Sequence, residues 1–243
     1  AEGVETMETI SRLVPYMHPE CITGSWTSLY QRYSEGKATM TSAYPSLIKW
    51  AQDIATSKVV GKNGTALVPG SKVTVGGQEK LLRYVAAPSG WEILVCNYSK
   101  YPEAGYLFWQ WWTSPEIGIR VIPLKGLMDG FRRVWYTGEK EKAIMSQSYT
   151  PQFIEVFPKA IETSFPDLML PGAFEFLDVL NKAINAVTTK IKKPQPALDD
   201  TAAAWEDIIK RLGKDSLLEA WRYATANFYP KDVQQVWKER GYV

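Results

Sequence analysis

The sequence has few of the residues that enzymes use for catalysis. It holds one histidine, His18, and two cysteines, Cys21 and Cys96, among 243 residues. One imidazole cannot build a multi-histidine zinc site, and two distant cysteines cannot supply a cysteine-rich one. A Ser–His or Cys–His pair would have to use His18, which lies in a Met17-His18-Pro19 loop sequence with no nucleophile elbow elsewhere. No Gly-x-Gly-x-x-Gly is present, and Gly70 is followed by Ser71 rather than by Lys and Ser or Thr, so neither phosphate-cradling fingerprint exists. No cofactor and no metal is therefore expected. The cysteines permit one disulfide or two free thiols and reveal no framework.

Charge of one sign is also missing. Lysine and arginine number 28 against 26 acidic residues, a net +2. A nucleic-acid binder usually carries a basic stripe. The nearest approach, Lys190-Ile191-Lys192-Lys193, is short and reads as a solvated helix end beside Pro194. No nucleic-acid partner is expected. Long apolar runs are absent too: the stretch Ile117 to Leu124 is broken by Arg120 and Pro123, well short of the roughly 20 apolar residues that span a bilayer. The chain opens Ala1-Glu2-Gly3 straight into an amphipathic stretch with no leader pattern, as a mature exported protein or a fragment would.

Aromatic residues are abundant: ten Trp, thirteen Tyr and eight Phe. Such residues fill cores, and they also form stacking platforms with a polar edge. Their spacing decides between the two. Ala104, Leu107, Phe108, Trp111 and Trp112 fall at helical intervals after Pro102, which predicts a core-facing stripe on a helix to Thr113.

The rest of the chain alternates before becoming helical. Apolar spacing predicts helices over 5–17, 27–35 (closed by Gly36) and 45–54, with a strand at 38–42 between the last two. Residues 58–86 mix short β-like runs with Gly61, Asn63-Gly64, Pro69-Gly70 and Gly76-Gly77, a passage of strands and turns in which Asn63-Gly64 is a good turn signal. A strand at 91–97 precedes the Trp-rich helix, and Ser114-Pro115-Glu116 begins another. Helices are expected at 139–147, 150–163, 172–190, 199–212, 214–227 and 230–240, with Asp199 or Asp200 capping the fourth of these. Phe174, Leu177, Leu180 and Ile184 would line one helix, and Ala202, Trp205, Ile208, Ile209 and Leu212 the next. The order implies an α/β protein with a helix-rich C-terminal part.

Three stretches together resemble one family. Tyr30 to Met40, "YQRYSEGKATM", is similar to a helix that delivers a Gly-Lys turn into a buried strand, followed here by the aromatic loop Ser42-Ala43-Tyr44-Pro45. "VVGKNGTALVPG" (59–70) and "SGWEILVCNYSKYPEAGYLFWQWWTSPEIG" (89–118) resemble a strand that crosses between lobes and the helix after it. "PGAFEFLDVLNKAI" and "PQPALDDTAAAWEDIIKRLG" resemble that family's closing helices. The family is the extracellular solute-binding proteins of bacterial ABC importers, in the group that includes maltose-binding protein. The resemblance covers about residues 5–213 and corresponds to the family's C-terminal portion.

It implies a two-lobed type II periplasmic-binding-protein fold, here lacking most of the N-terminal lobe. Residues 1–86 and 138–213 would belong to the second lobe, 87–137 would return to the first, and 214–243 would be a helical extension without a counterpart. It implies capture without catalysis: a small polar solute, sugar or polyol, is bound and delivered to a membrane permease, in the periplasm or on an extracellular membrane anchor. It also implies a missing partner, because the Leu107–Trp112 stripe would pack on the absent N-terminal part of the same protein.

By the family mapping, the ligand would meet Tyr44 and Ser42 in the aromatic loop, Trp91 and Glu92 after the Ser89-Gly90 crossover, and Phe174 and Phe176 on the late helix. Trp26, Tyr30 and Ser89 are further candidates. Two other classes remain open on sequence grounds. A carbohydrate-active hydrolase would use carboxylates such as Glu92, Glu116, Glu175 and Asp178. A helical protein-interaction module would use the helix-rich 139–243.

Overall fold

The computed structural model describes residues 2–86, 93–126 and 128–243. In chain order the elements are α1 (Glu2–Leu13), two 3-10 turns (Val14–Tyr16, Pro19–Cys21), α2 (Trp26–Ser34) and α3 (Ser46–Ala51). Next come β1 (Ser71–Val75), β2 (Gln78–Leu82), β3 (Val85–Ala86), α4 (Pro102–Trp112), α5 (Pro115–Val121), α6 (Val134–Thr137), α7 (Glu139–Met145) and α8 (Pro151–Glu162). β4 (Ser164–Phe165), α9 (Ala173–Thr188), α10 (Pro194–Leu212), α11 (Lys214–Phe228) and α12 (Lys231–Glu239) complete the described residues.

The helices begin where local chemistry says they should. Pro102, Pro115 and Pro151 occupy first turns, where a missing N–H costs nothing. Ser114 and Thr150 cap α5 and α8 by accepting from the backbone N–H three residues on. Asp199 and Asp200 cap nothing: α10 starts five residues earlier, with Pro194 in its first turn. Proline supplies its own preset φ there, so the helix needs no acidic cap at 199.

The strand expectations fare differently. Residues 38–42 and 93–97 are not strands, and Met40 and Leu94 are exposed. Extended chain becomes strand only when a neighbour completes its hydrogen-bond ladder, and no described strand pairs with either segment. Among the described residues the sheets are two pairs, β1 with β2 and β3 with β4. The hairpin turn is Gly76-Gly77, both at positive φ, rather than Asn63-Gly64. Two successive positive φ values define the turn whose twist suits a hairpin, and two glycines meet that demand without strain.

The chain divides into two compact units. One comprises residues 1–25, 72–82 and 165–243. Its cores join α1, α9 and α10 through Met7, Ala183, Val187 and Ala197, and gather Phe176, Ile208 and Leu217. The buried face of α9 runs Phe176, Ala183, Val187, with Leu180 and Ile184 beside it. This differs from the expected stripe: at 100° per residue Phe174 points away from that face, and it is exposed. The expected α10 face holds at Trp205, Ile208, Ile209 and Leu212 but not at Ala202, which is exposed.

The other unit comprises residues 26–71 and 83–164. Ile48 of α3, Ile119 and Ile122 at α5, Trp135 and Tyr136 of α6, Met145 of α7, Tyr149, and Phe153 and Ile154 of α8 form one core. Trp135 has no exposed surface. No residue of α4 is buried, so the stripe expected to face a core is open among the described residues.

Candidate functional site

The most developed polar constellation lies in the unit built from 26–71 and 83–164. Its starting point is Lys49, the middle residue of an apolar helical run, Leu47-Ile48-Lys49-Trp50-Ala51. The helix that buries Leu47 and Ile48 carries Lys49 in with them, leaving its side chain 1% exposed. A buried ammonium needs partners. Lys49 Nζ donates to the carbonyl oxygens of Ile122 (3.2 Å) and Met128 (2.8 Å) and lies 3.4 Å from Asp129 Oδ1. It also sits 5.7 Å from the centre of the Tyr149 ring.

Asp129 is the hub. Tyr149 donates its hydroxyl to Oδ1 at 3.0 Å, and the backbone of Ser46, at the start of α3, faces the carboxylate. Burial pushes the Asp129 carboxyl above its ordinary range, opposed by Lys49 and Tyr149, and burial lowers the Lys49 ammonium, opposed by Asp129. Desolvation followed by the charge of Asp129 pushes Tyr149 far up, so its hydroxyl stays a donor. The Asp129 side chain is nevertheless 29% exposed.

The segment that carries Asp129 is irregular backbone held by side chains. Lys49 grips two of its carbonyls, Tyr136 donates to Gly130 O at 2.9 Å, and Arg132 donates twice to Thr113 O, at 3.1 and 2.7 Å. A Cβ on Gly130 would lie 2.3 Å from the Tyr136 hydroxyl, so only glycine admits this approach. Asp129 is thereby fixed with no helix or strand beneath it.

The aromatic loop joins this hub through Tyr30. That residue is buried on α2, edge-on to Trp26 and to Trp50. Its hydroxyl shares a 2.8 Å hydrogen bond with Ser46 Oγ and reaches the carbonyl of Tyr44 at 3.4 Å. Tyr44 itself is 53% exposed, and Ser42 and Trp26 are exposed. Beside this platform Lys125 lies 4.6 Å from the Trp50 ring centre and pairs with Asp53.

The expected ligand residues thus fall into separate places. Tyr44 and Ser42 are exposed on the loop that leads into Ser46. Phe174, 88% exposed, borders an open groove of about 510 Å³ between α9 and α10 in the other unit. Phe176 is a core residue, 4% exposed, with its ring edge-on to Trp205, whose indole N–H donates to the Phe176 carbonyl. Trp91, Glu92 and Ser89 lie outside the described residues. Glu175 and Asp178, which also border that groove, meet Arg211 and Lys182 respectively, and Asp207 lies 3.4 Å from Lys210. Sequence reasoning missed Lys49, Asp129 and Tyr149. The available signal was a lysine inside an apolar helical run.

Cys21 and Cys96 are free, exposed thiols. Among the described residues no cluster of three or more His, Cys, Asp or Glu could hold a metal ion. No described helix is long and apolar enough to cross a membrane.

The fold resembles that of an ABC-transporter solute-binding protein. One solved structure that it resembles is a solute-binding protein from Agrobacterium radiobacter K84, in complex with ribitol. The likeness has a TM-score of 0.60 at 22% identity and covers 81% of this chain and 48% of that one. The chain therefore spans about half the length of the protein it resembles. No family model matches the sequence, and no curated protein matches it.

Proposed function

We propose that this chain is part of the substrate-binding component of an ABC importer. It captures a small polar solute, a sugar or polyol, outside the cytoplasm, in the periplasm or on an extracellular membrane anchor, and hands it to a membrane permease. The observation that carries this reading is the fold likeness over 81% of the chain to a solute-binding protein that holds ribitol. In this reading residues 1–86 and 138–213 belong to the second lobe, 87–137 return to the first, and 214–243 extend the second. The N-terminal part of a longer protein covers the open face of α4. No chemistry follows capture: closure on the solute is driven by its higher affinity for the closed state.

Tyr44 and Ser42, with Trp91 and Glu92, are the proposed ligand contacts. An aromatic ring offers its face to C–H surface while placed polar atoms take hydroxyls, the usual composition of such pockets. Because the chain supplies only its share of the pocket, affinity is expected to be weak. Titrating ribitol into the isotopically labelled chain tests this by two-dimensional amide spectra. Saturable shifts in the 42–46 loop are the expected result. Spectra unchanged up to tens of millimolar, with about 4 kcal/mol of binding free energy detectable at 1 mM, would sink the reading for this chain.

A further inference from the structure

We infer that Asp129 is the hydroxyl acceptor of the solute site, a specificity-determining residue for polyols. The inference rests on the solute-binding reading and goes beyond it by assigning a ligand contact that the family resemblance did not suggest.

The geometry supports it in three ways. First, a carboxylate offers about four acceptor positions. The Tyr149 hydroxyl and the Lys49 ammonium take two of them, the Ser46 backbone faces a third, and the side chain remains partly open to solvent. Capacity for one more donor is left on the open side. Second, Asp129 is preorganised. Lys49 holds it from the buried side, Tyr136 and Arg132 fix the backbone around it, and Gly130 admits the close packing. A fixed acceptor loses little freedom on binding. Third, it is adjacent to the aromatic loop: Ser46 links it to Tyr30, whose hydroxyl reaches the Tyr44 backbone.

The chemistry selects the ligand class. An acyclic polyol has no ring to stack broadly and is covered with hydroxyl donors, so a charged acceptor contributes more to its recognition than an aromatic face does. Hydrogen bonds to a carboxylate are shorter and stronger than neutral ones. The buried Lys49–Asp129 pair would be a costly way to stabilise a core alone, since desolvating both charges offsets much of their attraction. A carboxyl held rigidly beside a binding loop accounts for its presence.

The test is ribitol titration of the wild-type chain with ¹³C labelling of aspartate, followed by the same titration of Asp129→Asn. The Asp129 carboxyl carbon should shift together with the 42–46 amides, and D129N should weaken ribitol about ten- to hundredfold. D129N leaves Lys49 without its counter-ion; if it does not fold, the double variant Asp129→Asn, Lys49→Met removes both charges and is titrated instead. A merely structural aspartate would change the melting temperature and leave the ribitol affinity of the folded variant as it was, which overturns the inference. Loop shifts without a response at Asp129 overturn it while leaving the solute-binding reading intact. No response anywhere removes both.

Discussion

Asp53 shows how far one side chain's surroundings set its charge. Its two oxygens accept from the Ala55 N–H (3.0 Å) and the Thr56 hydroxyl (2.8 Å), and Lys125 pairs with it. Lys125 first, then Thr56 and the backbone, hold its carboxyl at about 2. A depressed carboxyl contributes stability above its unfolded value, and the contribution fades as pH falls toward the folded one. Replacing Lys125 with Met should raise the Asp53 titration midpoint toward the ordinary value of about 3.9, read by carboxyl ¹³C NMR. A midpoint unmoved by that change would show that Thr56 and the backbone suffice. Lys49 is the opposite case: it is buried, so its partners decide whether the helix that carries it can pack at all.

At the scale of elements, two helices end in the same way with different residues. After α2, Gly36 adopts positive φ while its N–H bonds Tyr33 O and the next N–H bonds Arg32 O. After α9, Lys190 takes that position at φ 61°, with its N–H on Val187 O and that of Ile191 on Ala186 O. Both are left-handed caps that satisfy the last carbonyls. Lysine pays a steric penalty there that glycine does not. Lys190→Gly should therefore stabilise the protein by about 0.5–1 kcal/mol, a rise of roughly 1–3 °C in Tm, whereas Lys190→Ala should bring no such gain. Calorimetry on the pair decides it, and equal melting of wild type and K190G would refute the cap. The sequence marked Gly36 as a stop because glycine is the usual residue there. It marked 190–193 only as a charged helix end, because a lysine at positive φ leaves no compositional trace.

For the whole molecule the notable surface is α4. Leu107 is 61% exposed and Trp111 52%, and Phe108 rests on Trp109, Trp111 and Trp112 of its own helix. Contiguous apolar surface of this kind is rare on soluble monomers and marks an interaction site. Leu107→Gln and Trp111→Gln should leave Tm within about 2 °C, since exposed side chains contribute little to stability, while Trp135→Ala should cost about 3–5 kcal/mol. The same two glutamine variants should reduce binding of a hydrophobic dye and self-association in light scattering. A loss of stability on their introduction would mean that α4 packs inside this chain after all. If the proposed N-terminal part is supplied as a separate polypeptide, it should suppress dye binding by the wild type.

The sequence by itself determined nearly every helix, because prolines, caps and apolar spacing are local and act before any packing occurs. It also showed that the chain lacks the usual catalytic, phosphate-binding and metal-binding patterns. Tertiary structure alone decided three things. It decided that 38–42 and 93–97 are not strands, since a strand exists only with a partner. It decided which apolar stripes are core: a 3.6-residue period shows that a face exists but not what covers it, so Phe174 and the α4 stripe face solvent while Phe176 does not. And it decided the polar hub, because Lys49, Asp129 and Tyr149 meet only when α3 and the segments after α5 and α7 share one core.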